Sequence, residues 1–129
     1  MKLGYAIIYV DDVTSTVEFY EKALGLKRRF IGPEGDYAEM ETGATALAFA
    51  SNDFVSKMLP IEYHRNAKDK KPAGIEITLV TDDVESAYKS ALDNGAIKVS
   101  DPVRKPWGQT VSYLRDCNGV LVEIATPIN

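Results

Sequence analysis

The sequence has little of several residue types on which common functions depend. It contains one cysteine, one histidine and one tryptophan among 129 residues. The single cysteine, Cys117, cannot form an internal disulfide, which suits a reducing compartment. The single histidine, His64, leaves few strong ligands for a zinc, iron or nickel centre, because imidazole is a principal ligand of these metals. A disulfide scaffold and a histidine-rich metal centre are therefore disfavoured.

A basic excess and a long apolar run are also missing. The net charge is −4 and the pI is near 5.0, whereas a nucleic-acid-binding domain normally has a basic face. The basic cluster at residues 68–71 is interpreted as a solvated loop. No run of 18 apolar residues exists that would span a membrane, and the N-terminus lacks the apolar region of a signal peptide. We expect a cytoplasmic protein that binds neither nucleic acid nor membrane.

The most informative feature that is present is a repeat. Residues 9–13 (YVDDV) recur as residues 80–84 (VTDDV), and each opens an amphipathic pattern that stops at a glycine, Gly25 or Gly95. The spacing predicts helices at about 12–24 and 83–94, with Asp12 as the first N-cap and Asp82 in a capping box with Glu85. A repeat of this kind indicates two structural copies packed in one domain.

Short alternating segments surround each predicted helix, one before it and three after it. The predicted strands cover residues 3–10, 26–32, 36–41 and 45–50, and then 75–80, 97–104, 109–115 and 120–126. The order β-α-β-β-β therefore occurs twice, which predicts the α+β class. We expect a single domain, 1–129, made of module 1 (about 1–50), a linker loop (about 51–73) and module 2 (about 74–129).

Two motifs carry a family resemblance. Residues 10–26 contain Phe-Tyr and Leu-Gly pairs, and residues 106–124 combine Pro-Trp-Gly with the turn Asp116-Cys117-Asn118-Gly119. Together they resemble the vicinal oxygen chelate superfamily, which includes glyoxalase I, extradiol dioxygenases and the bleomycin-resistance proteins. The resemblance covers essentially the whole chain and is closest to metal-poor, bleomycin-resistance-like members. It implies a glyoxalase/bleomycin-resistance fold, in which the two βαβββ modules form a concave mixed-sheet cleft, and it implies a homodimer.

Strand alternation selects the residues that face this cleft. Ile77 and Leu79 form an apolar face suited to the helix, so Glu76 points to the opposite side. The repeat places Tyr5 at the matching position of module 1. In the last strand Glu123 shares the cleft face, and its counterpart is Leu47, or Ala48 after a slip of one residue. The predicted centre is thus Tyr5, Leu47, Glu76 and Glu123.

The resemblance implies histidines and glutamates at these positions in metal-dependent members. Here Tyr5 and Glu76 stand where the histidines are expected, so we expect no catalytic transition metal and no cofactor. The alternative is a divalent metal ion held by Glu76 and Glu123, which would be the catalytic groups of an enzyme.

Five residues are candidates for ligand binding: Tyr5, Phe49, Glu76, Trp107 and Glu123. Each also has a structural interpretation. The glutamates are solvated strand residues on that view, Tyr5 is a half-buried aromatic residue, Phe49 is part of the core, and Trp107 is a turn residue. His64 is interpreted as a surface loop residue, the alternative being that its loop folds over a cleft.

Three functions remain open. The leading one is a small-molecule-binding protein that takes an aromatic or cationic compound without a transition metal. The second is a metal-dependent glyoxalase-like lyase or isomerase, or a dioxygenase, with an atypical carboxylate-rich site. The third is a non-catalytic module with a vestigial cleft. Whether the protein is an enzyme is left undecided, because this fold carries several chemistries.

Overall fold

The computed structural model describes residues 1–128; Asn129, the last residue of predicted module 2, lies outside the described residues. The chain divides into two compact units, which we call unit 1 (residues 1–66) and unit 2 (from residue 67). Each unit contains a four-stranded sheet with one parallel and two antiparallel strand pairs, so the α+β class is confirmed. The single domain and the shared cleft stay predictions.

Unit 1 follows the predicted β-α-β-β-β order and adds one helix. Its elements are β1 (Tyr5–Val10), α1 (Val13–Leu24), β2 (Lys27–Ile31), β3 (Tyr37–Glu41), β4 (Ala46–Ser51) and α2 (Asn52–Met58). The strand order in the sheet is β1-β4-β3-β2, and β1 runs parallel to β4.

Helix α1 begins and ends where the sequence predicts. The Asp12 carboxylate accepts a hydrogen bond from the backbone N–H of Ser15 at 2.9 Å, which satisfies a donor that the first turn leaves free. Gly25 ends the helix with a φ of 69°, a left-handed conformation that favours glycine. The rings of Tyr20 and Phe49 have their centroids 4.9 Å apart, so α1 packs on one face of the sheet.

Helix α2 corrects the prediction of a loop from about 51 to 73. The Ser51 hydroxyl accepts from the backbone N–H of Phe54 at 3.1 Å and caps the helix, and Val55 is buried. Asn52 is also buried and donates to the Asp11 carboxylate at 2.7 Å. A helix this short has little periodicity, and its stability comes from these contacts with the rest of unit 1.

Unit 2 contains β5 (Glu76–Val80), α3 (Val84–Asp93), β6 (Ile97–Arg104), β7 (Thr110–Arg115) and β8 (Leu121–Ala125), in the sheet order β5-β8-β7-β6. The N-cap of α3 is Asp83, whose carboxylate accepts from the N–H of Ser86 at 3.1 Å; the predicted cap at Asp82 is one residue too early. Among residues 1–128, no helix is long and apolar enough to cross a membrane.

Candidate functional site

Each sheet has one face covered by its helix; we call the opposite side the open face. In unit 2 the ladder between β5 and β8 pairs Thr78 with Glu123, while Val122 and Ile124 are buried on the helix side. Because side chains alternate along a strand, Glu76, Thr78 and Glu123 lie together on the open face. The structure thus brings the two predicted glutamates together within one unit.

Thr78 links the two glutamates. Its Oγ1 lies 3.0 Å from Oε2 of Glu76 and 3.2 Å from Oε1 of Glu123. A hydroxyl has one proton, so it donates to only one of these carboxylates at a time. The other carboxylate then faces the hydroxyl oxygen without a proton between them. The cluster of Glu76, Thr78 and Glu123 therefore has more hydrogen-bond acceptors than donors.

Tyr113, on the neighbouring strand β7, supplies a second donor. It pairs with Glu123 across the β7–β8 ladder, and its hydroxyl donates to the Glu123 carboxylate. This hydrogen bond, together with partial burial and the negative charges of Glu123 and Glu76, raises the pKa of Tyr113 to about 12. Tyr113 therefore remains a neutral donor throughout the physiological pH range.

No basic side chain balances the two glutamates within the described part of the chain. The ion pairs formed among residues 1–128 involve neither Glu76 nor Glu123. The open face of unit 2 consequently carries two carboxylates whose hydrogen-bonding partners are the neutral hydroxyls of Thr78 and Tyr113.

The open face of unit 1 has carboxylates of a different kind. Arg29 contacts Glu39 at 3.1 Å and binds both oxygens of Glu41 at 2.9 Å, and the Tyr37 hydroxyl donates to Glu39 at 2.8 Å. The bulge between Arg28 and Phe30 in β2 allows Arg29 to reach both glutamates. The Arg29 guanidinium holds the pKa of Glu41 below its usual value, and burial followed by the Glu39 hydrogen bond raises the pKa of Tyr37 to about 12. Both carboxylates are thus already paired with one guanidinium, that of Arg29.

The strand register between β1 and β4 shows which residues of unit 1 correspond to Glu76 and Glu123 in the repeat. Tyr5 occupies the position that matches Glu76 and is 58% exposed on the open face. Ile7, which matches Thr78, pairs with Ala48, so the counterpart of Glu123 is Ala48 and the prediction of Leu47 is wrong by one residue. Phe49 lies on the helix side.

The placement of Phe49 is therefore a correction. It is fully buried and contacts Tyr20 of α1, so it faces away from the open face on which a ligand was predicted to meet it. The physical reason is the alternation along β4: a shift of one residue exchanges the two faces of a strand. Phe49 is part of the core of unit 1.

Trp107 and His64 are both exposed. Trp107 lies in the turn between β6 and β7 of unit 2 with 66% of its surface accessible, and its Nε1 donates to Oε1 of Gln109 at 2.9 Å. This bond orients the indole while leaving its faces open. His64 lies after α2 in unit 1, in the segment predicted to be a loop. Contact of either residue with a ligand stays a prediction.

The side chains of the open face of unit 2 offer few ligands to a metal ion. Among residues 1–128, no three His, Cys, Asp or Glu side chains lie close enough together to hold one. The open face of unit 2 offers two carboxylates and a hydroxyl, which are hard oxygen ligands. Imidazole, a principal ligand of Fe, Ni and Zn, is not among these three groups. The residues of this face do not fit a transition-metal centre.

Thr78 and Tyr113 were not predicted as site residues. The alternation that selected Glu76 also places Thr78 on the same face, two residues later. Tyr113 had a weaker signal, because its alignment with Glu123 depends on the register of a hairpin whose turn, Asp116 to Gly119, has to be known first.

Two units share the order β-α-β-β-β, and in each unit the helix after the first strand covers one face of the sheet. They define an α+β protein with two repeated modules. The model of the Glyoxalase/Bleomycin resistance protein/Dioxygenase superfamily matches residues 2–124, and the chain belongs to this superfamily. The resemblance in the sequence is thereby confirmed.

Similar proteins match nearly the whole of this chain. The chain is 26% identical over 125 residues to the uncharacterized protein YraH of Bacillus subtilis, covering 96% of this chain and 97% of the relative. It is 23% identical over 128 residues to virulence protein STM3117 of Salmonella typhimurium, covering 96% and 83%. The crystal structure of a glyoxalase-related enzyme from Fulvimarina pelagi has a TM-score of 0.83 at 14% identity, covering 98% of this chain and 88% of that one, which shows the shared fold.

Proposed function

We propose that the protein binds a small organic cation on the open face of unit 2, without a catalytic transition metal. The observation that supports this most directly is the pair Glu76 and Glu123, which share the hydroxyl of Thr78 and have no basic partner among residues 1–128. A ligand with positive charge would supply what the described side chains around the pair do not.

The hydrogen-bond count refines the class of ligand. Two carboxylates offer four acceptor oxygens, and the two donors beside them are the hydroxyls of Thr78 and Tyr113. A cation that carries N–H groups, such as a primary ammonium or an amidinium, satisfies the remaining acceptors. A quaternary ammonium brings the same charge and no donor. We therefore propose a preference for N–H-bearing cations.

The aromatic residues support a planar part in the ligand. Trp107 is exposed with its indole N–H already bonded to Gln109, so its ring face is available for stacking. Tyr5 is likewise exposed, on the open face of unit 1, and its contact with a ligand stays a prediction. We propose that the compound joins an aromatic ring to a cationic head.

Calorimetric titration tests the proposal with benzylamine, benzamidine, benzyltrimethylammonium and benzoate. Benzylamine and benzamidine are expected to bind, the quaternary ammonium to bind at least fivefold more weakly, and benzoate not to bind. Glu76→Gln and Glu123→Gln should each weaken benzylamine binding, whereas Glu85→Gln, on the exposed surface of α3 in the same unit, is the matched control. Preferred binding of benzoate, or unchanged binding in both site variants, contradicts the proposal.

Elemental analysis separates binding from the alternative of a metal-dependent enzyme. Protein purified without a histidine tag should contain far less than one Fe, Ni, Zn or Mn per chain, also after incubation with each metal. About one equivalent of metal that disappears in Glu76→Gln and Glu123→Gln would support a glyoxalase-like or dioxygenase reaction. A chain that binds no metal and none of the cations would support a vestigial cleft.

We also propose that the protein is a cytoplasmic homodimer, as the resemblance implies. Light scattering coupled to gel filtration measures the mass directly, against 14.2 kDa for one chain. Fractionation of the source cells, with detection of the chain in the soluble cytoplasmic fraction, tests the location.

A further inference from the structure

Arg115 in unit 2 makes an unusual set of contacts. Its Nε donates to the carbonyl of Gly119 at 2.8 Å, and its two terminal nitrogens donate to the carbonyls of Ala67 at 3.1 Å, Lys68 at 3.2 Å and Lys70 at 2.6 Å. Four of the five donors of one guanidinium are thus engaged by backbone carbonyls. Three of these carbonyls belong to one turn, residues 67–70, which begins unit 2.

Gly119 has no side chain, which allows this turn to pack closely against it. It is buried with a φ of 84°, and a Cβ added to it would lie 2.5 Å from the carbonyl oxygen of Ala67 and 2.6 Å from Arg115. A side chain at this position would therefore push the turn away from the guanidinium. We call Arg115, Gly119 and the turn 67–70 the latch.

The latch also determines where the charge of Arg115 lies. Arg115 pairs with Leu121 across the β7–β8 ladder and alternates with the buried Leu114, so it leaves the sheet on the open face, as Tyr113 does. Glu123 is its diagonal neighbour on β8, a separation that a long side chain can span. Within residues 1–128, however, Arg115 forms no ion pair with a carboxylate.

We propose that Arg115 is a positioning residue that keeps the open face of unit 2 anionic. With the latch closed, the guanidinium is held by carbonyls and leaves Glu76 and Glu123 free for a cationic ligand. With the latch open, the same guanidinium swings to Glu123 and competes with that ligand. This inference rests on the proposed function for its effect on binding, but the latch itself can be tested without any ligand.

Limited proteolysis with endoproteinase Lys-C tests whether the latch holds the turn. The protease cleaves after lysine, and Lys68, Lys70 and Lys71 are exposed in and beside the turn. Arg115→Lys and Arg115→Gln should each be cleaved there at least tenfold faster than the wild type, because neither side chain can engage four carbonyls. Arg104→Lys, on β6 of the same unit, is the matched control. Unchanged cleavage in both variants overturns the latch.

The charge of the residue that replaces Arg115 tests whether a released cation competes with the ligand for Glu123. Arg115→Lys opens the latch and keeps a cation near Glu123, so benzylamine should bind at least threefold more weakly. Arg115→Gln opens the latch and removes the cation, so benzylamine should bind within twofold of the wild type or more tightly. Equal weakening in both variants would mean that Arg115 acts only through local folding, and would overturn the competition.

Urea unfolding provides a readout that needs no ligand. In the Arg115→Lys background the freed ammonium pairs with Glu123, so adding Glu123→Gln should lower the unfolding midpoint more than it does in the wild type. The same shift in both backgrounds overturns the pairing. If benzylamine fails to bind the wild type, the proposed function fails, while the proteolysis and urea results still decide the latch.

Discussion

The hydroxyl of Thr78 lies 3.2 Å from the carboxylate of Glu123, on the two strands that form the parallel ladder of unit 2. The same hydroxyl lies 3.0 Å from Glu76, the neighbouring residue on that face of β5. The neutral hydroxyl of Thr78, which has a single O–H proton to donate, therefore lies between two carboxylates. This arrangement, and its contrast with the Arg29 pairs of unit 1, makes the open face of unit 2 the better candidate for a cation.

Replacement of Thr78 tests the hydrogen-bond count. Thr78→Val keeps the shape and removes the hydroxyl, which should weaken benzylamine binding by about 1 kcal/mol, roughly fivefold, because an ordered donor beside the carboxylates is lost. Thr78→Ser keeps the hydroxyl and is the matched control, with affinity close to the wild type. Calorimetric titration measures both variants; equal affinities for Val and Ser would show that the hydroxyl takes no part.

Tyr113 predicts a loss of stability at high pH. Its pKa is raised from the ordinary value of 10.0 to about 12 in the folded protein, first by the hydrogen bond to Glu123. The stabilisation is therefore fully present below pH 10, falls between pH 10 and 12, and is gone above that range. Tyr113→Phe should make this decline shallower, as measured by urea unfolding at each pH.

Glu123→Gln is the companion variant for this titration. It removes the charge that the phenol faces, so the pKa of Tyr113 should move back toward 10.0, which absorbance near 295 nm can follow. Burial also raises the pKa of Tyr37 and of Tyr88 to about 12, and Glu123→Gln should leave these two pKa values unchanged. The same alkaline titration curve in the wild type and in Glu123→Gln contradicts the Tyr113 assignment.

The ion pairs of unit 1 predict unequal effects for two adjacent arginines. Arg29→Met should lower the urea midpoint clearly, because Glu39, only 8% exposed, loses its guanidinium. Arg28→Met breaks a pair with Glu21 on the surface of α1 and should have little effect. Adding Glu39→Gln should recover part of the loss in Arg29→Met. Equal urea midpoints for Arg29→Met and Arg28→Met would contradict the expectation that the Arg29 pair contributes more to stability than the Arg28 pair.

The caps of α3 provide a test of helix position. Asp83→Ala should reduce the free energy of unfolding by about 1 kcal/mol, because the N–H of Ser86 loses its acceptor. Asp82→Ala should change the free energy of unfolding by less than about 0.5 kcal/mol, as is usual for an exposed residue. Urea denaturation compares the two. A larger loss in Asp82→Ala would restore the capping box predicted from the sequence.

Much of the fold was predictable because its signals are local. Asp12 and Gly25 bound a helix through the conformations and hydrogen bonds of their own neighbours, and alternation in β5 separates Glu76 from the buried side. The repeat even indicates the right cap for α3, since Asp83 matches Asp12, whereas the capping-box pattern favoured Asp82.

The sequence by itself thus determined the repeated β-α-β-β-β order, the superfamily and the placement of Glu76 and Glu123 on the same face of a sheet. Only the tertiary structure decided that Phe49 faces α1 and that residues 52–58 form a helix. It also decided that Arg29 pairs with Glu39 and Glu41, and that Arg115 is held by the carbonyls of a turn. The physical reason is that these features depend on strand register and on contacts between residues far apart in the chain. A shift of one residue reverses a face, and a guanidinium chooses its acceptors only once the backbone around it is in place.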